Sequence, residues 1–518
     1  MSVARTISAT PEAAQPLTGG KLLVAALFIG LGNFLVVLDT TIANVSVPTI
    51  AGALGVSSTQ GTWVITSYAV AEAITVPLTG WLTRRFGAIR VFLFCYLAFA
   101  IISLLCGFAT SLGQLIAGRV LLGLVGGPIM PLSQMLLLRV FPKERATQAT
   151  VLWAMTTLVG PVAGPILGGI ICDSIGWEWI FFIKVPVAGA GGLALLMLLR
   201  GQPDPTGPAF IDKIGLLLLV IWVGALQIML DEGRNKDWFA SHEIQVLAVI
   251  AVVGFVAFVI WELTEPNPIV DLRIFRHRGF TAAASTYSFG YGAFFASVVL
   301  LPLWLQSNMG YTATWAGYAT GIMGMLAVAS APLVGKAVER GIDVRLIISL
   351  GVVLLGAIMV WRMLTFTPDI TFMQMALPTF LTGTTMVMFF IPVTGLAMAS
   401  VKPEEQANAA GISNFMRTLA GAFATSLVQT GWSNATRTNQ TELAGVINNG
   451  QATLDAMTSQ GIPADTARAL LSSAVEGQSV MLATLNMFGV IAICLFVAGM
   501  IIWLAPKPKG PVDTSSAH

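Results

Sequence analysis

The feature that most constrains this chain is a series of fourteen long apolar segments, most of them joined by short polar ones. A helix needs about 20 apolar residues to cross the hydrocarbon core of a bilayer, and the segments are close to that length. The chain is 56% hydrophobic and only 10% charged, whereas a soluble protein has about 25% charged residues. We therefore predict an all-α integral membrane protein. Its predicted membrane-spanning helices cover residues 22–47, 61–82, 89–109, 112–137, 147–172, 179–199, 214–230, 244–263, 280–305, 314–336, 345–364, 372–399, 406–430 and 478–504.

The distribution of lysine and arginine indicates an orientation in the membrane. An even number of spans puts both termini on the same side. If that side is the cytoplasm, the inside segments hold 19 of the 27 Lys and Arg residues, the outside segments hold five, and Arg119, Lys184 and Arg417 lie within spans. Cytoplasmic loops carry an excess of these residues. We therefore expect the tails 1–21 and 505–518 to be cytoplasmic.

Two stretches of the chain resemble each other. Gly80–Arg90 (GWLTRRFGAIR) and Gly335–Arg345 (GKAVERGIDVR) share the pattern G-x-x-x-x-R-x-x-x-x-R, and a proline lies three residues before each glycine. Chance similarity between two basic loops is the alternative explanation. An internal repeat is typical of transporters, and it fits this chain if the seventh and eighth spans are an insertion between two six-helix halves.

The repeat predicts the domain organisation. Residues 22–199 would form an N-terminal six-helix bundle, and residues 280–504 a C-terminal one that includes an outside polar loop over 431–477. Residues 200–279 would be a linker with two additional transmembrane helices.

Two acidic residues lie inside predicted spans, where a charge is costly unless it is paired or neutralised. Asp39 lies in the outer half of the first span. It either binds a proton or a cation during transport, or it is a helix-end carboxylate in contact with the outer water. Glu72 lies near the middle of the second span. It either binds a proton or cation, or it is a structural acid hydrogen-bonded to a neighbouring helix.

Two arginines also lie inside spans. A guanidinium does not practically deprotonate, so Arg119 and Arg417 must each face a cavity or a carboxylate. Arg119 is the candidate partner of Asp39 or Glu72. Arg417 either attracts an anionic substrate or ties backbone carbonyls together.

The fifth span contains GPVAGPILGG, which has Gly160, Gly164 and Gly168 at four-residue spacing and Pro161 and Pro165 beside them. Glycines that recur on one face let a second helix approach closely, and the prolines favour a kink. A generic packing face is the simpler explanation.

Composition excludes several functions. A net charge of +2 argues against a nucleic-acid partner. The four cysteines lie in apolar segments without a CxxC spacing and there are only three histidines, so we expect no metal and no cofactor. The chain has no HxxxD or GxSxG motif, so an integral membrane enzyme is the least favoured function.

Ordered motifs along nearly the whole chain resemble those of the major facilitator superfamily, and more narrowly the 14-helix drug:proton antiporters of the EmrB type. These motifs are LDTTIANVSVP (38–48), GWLTRRFG (80–87), RVLLG (119–123), GPVAGPILGG (160–169), WEWIFFIKVP (177–186) and SNFMRTLAG (413–421). The resemblance implies the major facilitator fold, which has two six-helix bundles and here two extra helices. It also implies proton-driven efflux of hydrophobic or amphipathic compounds across the bacterial inner membrane.

The resemblance assigns further roles. It implicates Arg119 in proton coupling and makes the fifth-span motif an interdomain hinge and seal. The motif around Gly80, Arg85, Gly87 and Arg90 would be a latch that stabilises the outward-facing state, although ordinary positive-inside charge also explains it. A periplasmic membrane-fusion adaptor and an outer-membrane channel would be partners, with 431–477 as a docking surface.

Four residues depart from the family pattern. Arg84 stands where the family usually has aspartate, Leu122 where glutamine is usual and Lys184 where asparagine is usual. Glu72 is an acid that the pattern does not contain. The substrate path is harder to predict, because flexible and aromatic side chains suit many hydrophobic compounds. The candidate substrate-binding residues are Tyr68, Gln134, Tyr287, Tyr291, Asn414 and Arg417. A transporter of a single endogenous metabolite or fatty acid is the alternative function.

Overall fold

A computed structural model describes residues 17–142, 145–207, 211–402, 405–446 and 450–507. Within these ranges the chain is helical and contains no β-strand. Most of the predicted tails, 1–21 and 505–518, lies outside the described residues.

The α-helices, numbered in chain order, are α1 (Gly19–Ala53), α2 (Ser58–Gly61), α3 (Trp63–Thr75), α4 (Thr79–Phe86), α5 (Ala88–Gly107), α6 (Leu112–Val140), α7 (Ala146–Ser174), α8 (Trp179–Phe182), α9 (Lys184–Leu198), α10 (Lys213–Glu232), α11 (His242–Thr264), α12 (Arg278–Asn308), α13 (Ala313–Glu339), α14 (Val344–Thr365), α15 (Phe372–Ala399), α16 (Gln406–Val446), α17 (Gly450–Ser459) and α18 (Ala464–Ile501). Three short 3-10 helices occupy Trp238–Ala240, Leu272–Arg276 and Ile502–Leu504.

The predicted spans are helical in the structure, but not all are uniform. In the described chain, eleven helical segments are long and apolar enough to cross a membrane, and α7 makes a twelfth if its two bent halves count as one span. The predicted span 61–82 is divided between α3 and α4 on either side of Pro77, because proline lacks the N–H that a helix interior needs. The predicted span 406–430 is the first part of the long and partly polar α16.

The segment 431–477, predicted as a polar loop, is mostly helical. α16 continues to Val446 and α18 already begins at Ala464. Two hydrogen bonds connect α16 and α18 beyond their apolar parts. Trp432 Nε1 donates to Thr484 Oγ1 at 2.9 Å, and Asn439 Nδ2 donates to Ser479 O at 3.2 Å. Hydropathy marks where an apolar run ends, and the helix continues because Ala, Gln and Leu favour helix on a polar surface as well.

Glycines allow the helices of each bundle to approach closely. A Cβ atom at Gly164 of α7 would lie 2.1 Å from Thr41 Oγ1 of α1, and one at Gly123 of α6 would lie 2.5 Å from the carbonyl oxygen of Tyr68 in α3. In the other bundle, a Cβ atom at Gly383 of α15 would lie 2.1 Å from the Met323 carbonyl of α13. Lipid provides no hydrophobic force between helices, so this close packing holds them together.

The two additional helices, α10 and α11, pack on each other and against one helix of each bundle. Gly224 of α10 faces Val70 of α3. On its other side, the Trp222 ring of α10 lies 5.9 Å from the Phe415 ring of α16, and Ser426 Oγ of α16 donates to Leu230 O at 2.8 Å.

One end of the molecule, here called the terminal face, carries the start of α1 and the end of α18. Leu17 N donates to Val140 O at 3.0 Å, and Arg345 Nη1 donates to Ala505 O at 3.1 Å. The same face carries the α4–α5 turn and the linker before α10. The prolonged α16 and α18 project from the opposite face.

Candidate functional site

Asp39 is the centre of a buried cluster of three charges, here called the charged triad. Arg119 Nη1 donates to one carboxylate oxygen of Asp39, and Lys184 Nζ donates to the other. None of the three side chains is more than 1% exposed. Asp39 is therefore not a helix-end carboxylate in contact with water. The sequence left Asp39 and Glu72 as possible partners of Arg119, and in the structure Arg119 binds Asp39.

Close packing between α3 and α6 positions Arg119. Its Nε donates to the carbonyl oxygen of Val64 at 2.8 Å, and its guanidinium lies 4.2 Å from the centroid of the Tyr68 ring. Both partners belong to α3, which can approach α6 because Gly123 has no side chain. The backbone, the ring and the carboxylate together fix the direction of the guanidinium.

Lys184 enters the triad from the start of α9, of which it is the first residue. Ile183, which joins α8 to α9, keeps a helical backbone conformation with φ −60° and ψ −27°. The Lys184 ammonium lies 4.7 Å from the centroid of the Phe181 ring, a cation–π distance. Two cations and one anion give the triad a formal charge of +1. The sequence identified Lys184 as a departure from the family pattern but indicated no partner for it.

Glu72 lies on α3 close to this cluster but outside it. The residue is only 6% exposed, and its carboxyl group makes no hydrogen bond or ion pair with the described residues. The charges that act on it are those of Arg417, Asp39 and Arg119. The structure thus contains two buried acids in different settings, because Asp39 is bound by two cations and Glu72 by none.

A small cavity lies between the two bundles. Its volume is about 10 Å³, which is close to the minimum for one water molecule. Asn414 Nδ2 of α16 reaches across it toward Gln134 Oε1 of α6, 3.5 Å away. The Tyr287 hydroxyl, Ser413 Oγ and Asn414 Oδ1 are buried there without a hydrogen-bond partner. Free polar atoms in an apolar enclosure are typical of a ligand site, but a drug-sized molecule fits only after the bundles separate.

Arg417 lies three residues after Asn414, which lines this cavity, and it forms no ion pair among the described residues. Its Nη1 donates to the Tyr291 hydroxyl at 3.1 Å, and its guanidinium lies 4.9 Å from the centroid of that ring. Nη2 contacts Met130 Sδ of α6, in the other bundle, and Nε has no partner. Among the described residues it binds no backbone carbonyl, so the structure does not support a backbone tie.

The fifth-span motif packs in two directions. Gly160, Gly164 and Gly168 face α1, as a packing face requires. On its other side α7 meets α13 of the second bundle, where a Cβ atom at Gly317 would lie 2.4 Å from Ile166 Cγ1. The segments Gln148–Pro161 and Ile166–Cys172 are bent by 43°, in agreement with the predicted kink. The side chain of Pro165 is not in the described part of the structure.

Only some residues of the predicted latch are held in place by contacts or by backbone geometry. Gly80 packs against α16, because a Cβ atom there would lie 3.7 Å from Asn408 Cα, and Gly87 has a φ of 91°. The side chains of Arg85 and Arg90 are exposed and make no ion pair or hydrogen bond with the described residues.

Some residues of the site were not predicted. Trp153 and Ser413 line the cavity, and Asp204 of the linker contacts the α4–α5 turn. None of the three stands out in a single sequence. Among the described residues there is no group of three His, Cys, Asp or Glu side chains that could hold a metal ion.

Comparison with known proteins identifies the class. The sequence profile of the Major Facilitator Superfamily matches residues 29–425. The chain is 42% identical over 500 residues to the multidrug export protein EmrB of Escherichia coli K12, which covers 96% of this chain and 98% of that protein. It is 40% identical over 497 residues to the fatty acid resistance protein FarB of Neisseria gonorrhoeae, covering 95% and 98%.

A solved structure supports the fold independently. A POT family transporter in complex with a thioalcohol-conjugated peptide has a TM-score of 0.60 at 14% identity, over 93% of this chain and 94% of that one. The chain belongs to the Major Facilitator Superfamily and, within it, to the family of EmrB-type transporters.

Proposed function

We propose that this protein exports hydrophobic or amphipathic compounds of several kinds across the bacterial inner membrane in exchange for protons. The observation that carries the proposal is the pair of buried acids in contrasting settings: Asp39 lies inside the charged triad, and Glu72 has no ion pair among the described residues. A small cavity between the two bundles offers a place for a ligand. The similarity to proteins named for multidrug export supports the choice of cargo.

The triad and Glu72 suggest how a proton could act. In the closed arrangement both oxygens of Asp39 are bound by cations, so a proton would have to compete with Arg119 and Lys184. Glu72 has no such competitor, and an unpaired buried carboxyl is less costly to desolvate with a proton than without. We propose that Glu72 accepts the proton first, and that Asp39 becomes available when the bundles rearrange and Arg119 moves.

The cavity supports alternating access. With about 10 Å³ of space, the site is closed to a drug on both sides. Separation of Asn414 from Gln134 would open it and expose the unpaired polar atoms. A ligand shifts such an equilibrium only if it binds the two states with different affinities. The guanidinium of Arg417, which has no ion pair among the described residues, would give the opened state a higher affinity for a substrate with an anionic or electron-rich group.

The orientation in the membrane and the partner proteins complete the proposal. We infer that the terminal face is cytoplasmic because 19 of the 27 Lys and Arg residues lie in the segments predicted on that side. The helical extension of α16 and α18 would then enter the periplasm. We propose that it docks a membrane-fusion adaptor, which would connect the pump to an outer-membrane channel.

The test is proton-coupled transport in proteoliposomes. Wild type, Asp39→Asn and Glu72→Gln are compared by the proton movement that a lipophilic drug triggers under an imposed pH gradient. We expect Glu72→Gln to bind drug but to lose the proton signal. Normal transport by both variants would falsify the coupling scheme.

A transporter of a single fatty acid or metabolite is the second candidate. It is favoured by the 40% identity to a protein named for fatty acid resistance and by the unpaired Arg417, which could bind a carboxylate. Competition separates the two functions. Several unrelated drugs that each inhibit uptake of one labelled drug support multidrug export, whereas inhibition by fatty acids alone supports the narrow function.

A further inference from the structure

The linker between the first bundle and α10 is attached to the α4–α5 turn. Asp204 accepts hydrogen bonds from the backbone N–H groups of Ile89 at 3.2 Å and Arg90 at 3.1 Å, in the first turn of α5. Arg139, at the end of α6, lies 3.8 Å from the same carboxylate. Gly207 N of the linker also donates to Arg84 O at 2.8 Å. Two separate contacts therefore hold the linker on the terminal face.

Gly87 provides the space for this carboxylate. It precedes α5 with a φ of 91°, and a Cβ atom there would lie 2.2 Å from Asp204 Oδ2. Any side chain at this position would displace the carboxylate as well as strain the backbone. The glycine of the predicted latch is thus needed for a residue 117 positions further along the chain.

The corresponding turn in the second half is built differently. There Asp343 caps α14 from its own turn, accepting from Arg345 N at 3.0 Å and pairing with Arg345 Nη2 at 2.9 Å. In the first half the residue before α5 is Gly87, which has no side chain to cap the helix. Asp204 performs for α5 what Asp343 performs for α14, so the linker replaces a cap that the first half lacks.

The capped turn also contacts the second bundle. α4 packs on α16 where Gly80 faces Asn408, and Asn408 Nδ2 donates to Asp271 O at 3.0 Å. The position of the turn therefore determines how α4 meets α16, and with it whether the bundles close on the terminal face.

We propose that Asp204 is a positioning residue for transport, which holds the α4–α5 turn in the place where α4 closes against α16 on the terminal face. A carboxylate at the N-terminus of α5 is favourable because it meets unpaired N–H groups and the positive end of the helix dipole. Without it, the turn loses its tie to Arg139 and keeps only the Gly207–Arg84 hydrogen bond to the linker, so the closed state becomes less populated. The inference rests on the alternation of the two bundles that the proposed function requires.

A disulfide between positions 80 and 408 measures closure directly. A Cβ atom at Gly80 would lie 3.9 Å from Asn408 Cβ, within the range for a disulfide. The double variant Gly80→Cys/Asn408→Cys is made in a chain whose four cysteines, Cys95, Cys106, Cys172 and Cys494, are replaced by alanine. The rate of oxidative crosslinking in proteoliposomes then reports the population of the closed state, with no substrate or pH gradient present.

Asp204→Ala should slow crosslinking about fivefold, as expected when one side-chain helix cap is lost. Asp343→Ala is the matched control, because it removes the equivalent cap of α14 and should leave the rate unchanged. If Asp204→Ala does not fold, Asp204→Asn, which keeps the shape and one acceptor oxygen, should slow crosslinking by a smaller factor.

An unchanged rate in the Asp204 variants would overturn the proposal, and so would an equal slowing by Asp343→Ala, which would indicate a general loss of stability. Neither result depends on proton coupling or substrate. Failure of this inference is therefore distinguishable from failure of the proposed function.

Discussion

Lys184 and Asp39 form an ion pair between α9 and α1 that is sealed from solvent, and Asp39 binds Arg119 at the same time. Three charges with a net value of +1 are an uneven arrangement for the interior of a membrane protein. Removing different members of the triad should therefore have different effects, which depend on the charge that is left behind.

The effect of Lys184→Asn on stability should change sign when Asp39 is also replaced. Asp39→Asn leaves two buried cations without an anion, which should cost about 3–5 kcal/mol of stability. Lys184→Asn leaves a balanced Asp39–Arg119 pair and should cost only about 1 kcal/mol. In the Asp39→Asn background, Lys184→Asn removes an unpaired charge and should raise the melting temperature. The four proteins are compared in one detergent, and equal effects of Lys184→Asn in both backgrounds would contradict the electrostatic account.

The contact between α1 and α7 should be intolerant of a single methyl group. In Gly164→Ala the new Cβ would lie 2.1 Å from Thr41 Oγ1, so the helices must separate, at a cost of about 1–3 kcal/mol. Gly189→Ala in α9 is the control, since nothing lies within 4 Å of that position. A fall in melting temperature for Gly164→Ala alone is expected. Equal melting temperatures for both variants would show that the contact does not limit stability.

Arg362 of α14 is a buried cation that the structure does not pair with any carboxylate of the described chain. It is 2% exposed, and its Nη2 donates to Thr379 Oγ1 at 3.0 Å, while Nε has no partner. Replacing a buried charge by an apolar side chain of similar length is often neutral or stabilising. Arg362→Met should therefore melt at the same or a higher temperature. A lower melting temperature, restored by Arg362→Lys, would indicate that the charge has a partner in the folded protein.

The segment between α11 and α12 should separate from the start of α16 in acid, because Arg276 and His277 hold it to Glu405. Burial alone would raise the pKa of Glu405, but the backbone N–H of Lys402 and the charges of His277 and Arg276 outweigh it and lower that pKa below its usual value of 4.5. Because the pKa is lower in the folded protein, the stabilisation is complete above the unfolded value and is lost as the pH falls through the folded one. Protease cleavage near 265–277 should accelerate below about pH 4.5 in wild type. Glu405→Gln should be cleaved at one rate at every pH, after correction for the protease.

The sequence was sufficient to predict the membrane spans and one ion pair, but not the contacts between residues that lie far apart in the chain. Apolar length predicted the fourteen spans, each of which is helical in the structure. Arg119 was a candidate for Asp39 because buried opposite charges must meet. Lys184 could not be assigned to the same carboxylate, because its contact with Asp39 depends on how α9 packs against α1, which a single sequence does not show. Asp204 could not be found either, since Ile89 and Arg90, whose backbone N–H groups it binds, lie more than a hundred residues earlier and the linker carries no motif. The polar 431–477 segment was misjudged because hydropathy responds to side chains and not to backbone hydrogen bonds.

The position of α10 and α11 makes the two lipid-facing flanks of the molecule different from each other. The seam between the two bundles reaches the surface along two flanks, one between α3 and α16 and the other between α7 and α13. α10 covers the first flank by packing on both of its helices, whereas at the second α7 and α13 meet directly. One flank of the seam is therefore covered and the other is closed only by direct contact between α7 and α13. We expect a compound that enters the cavity from the bilayer to pass beside α7 and α13.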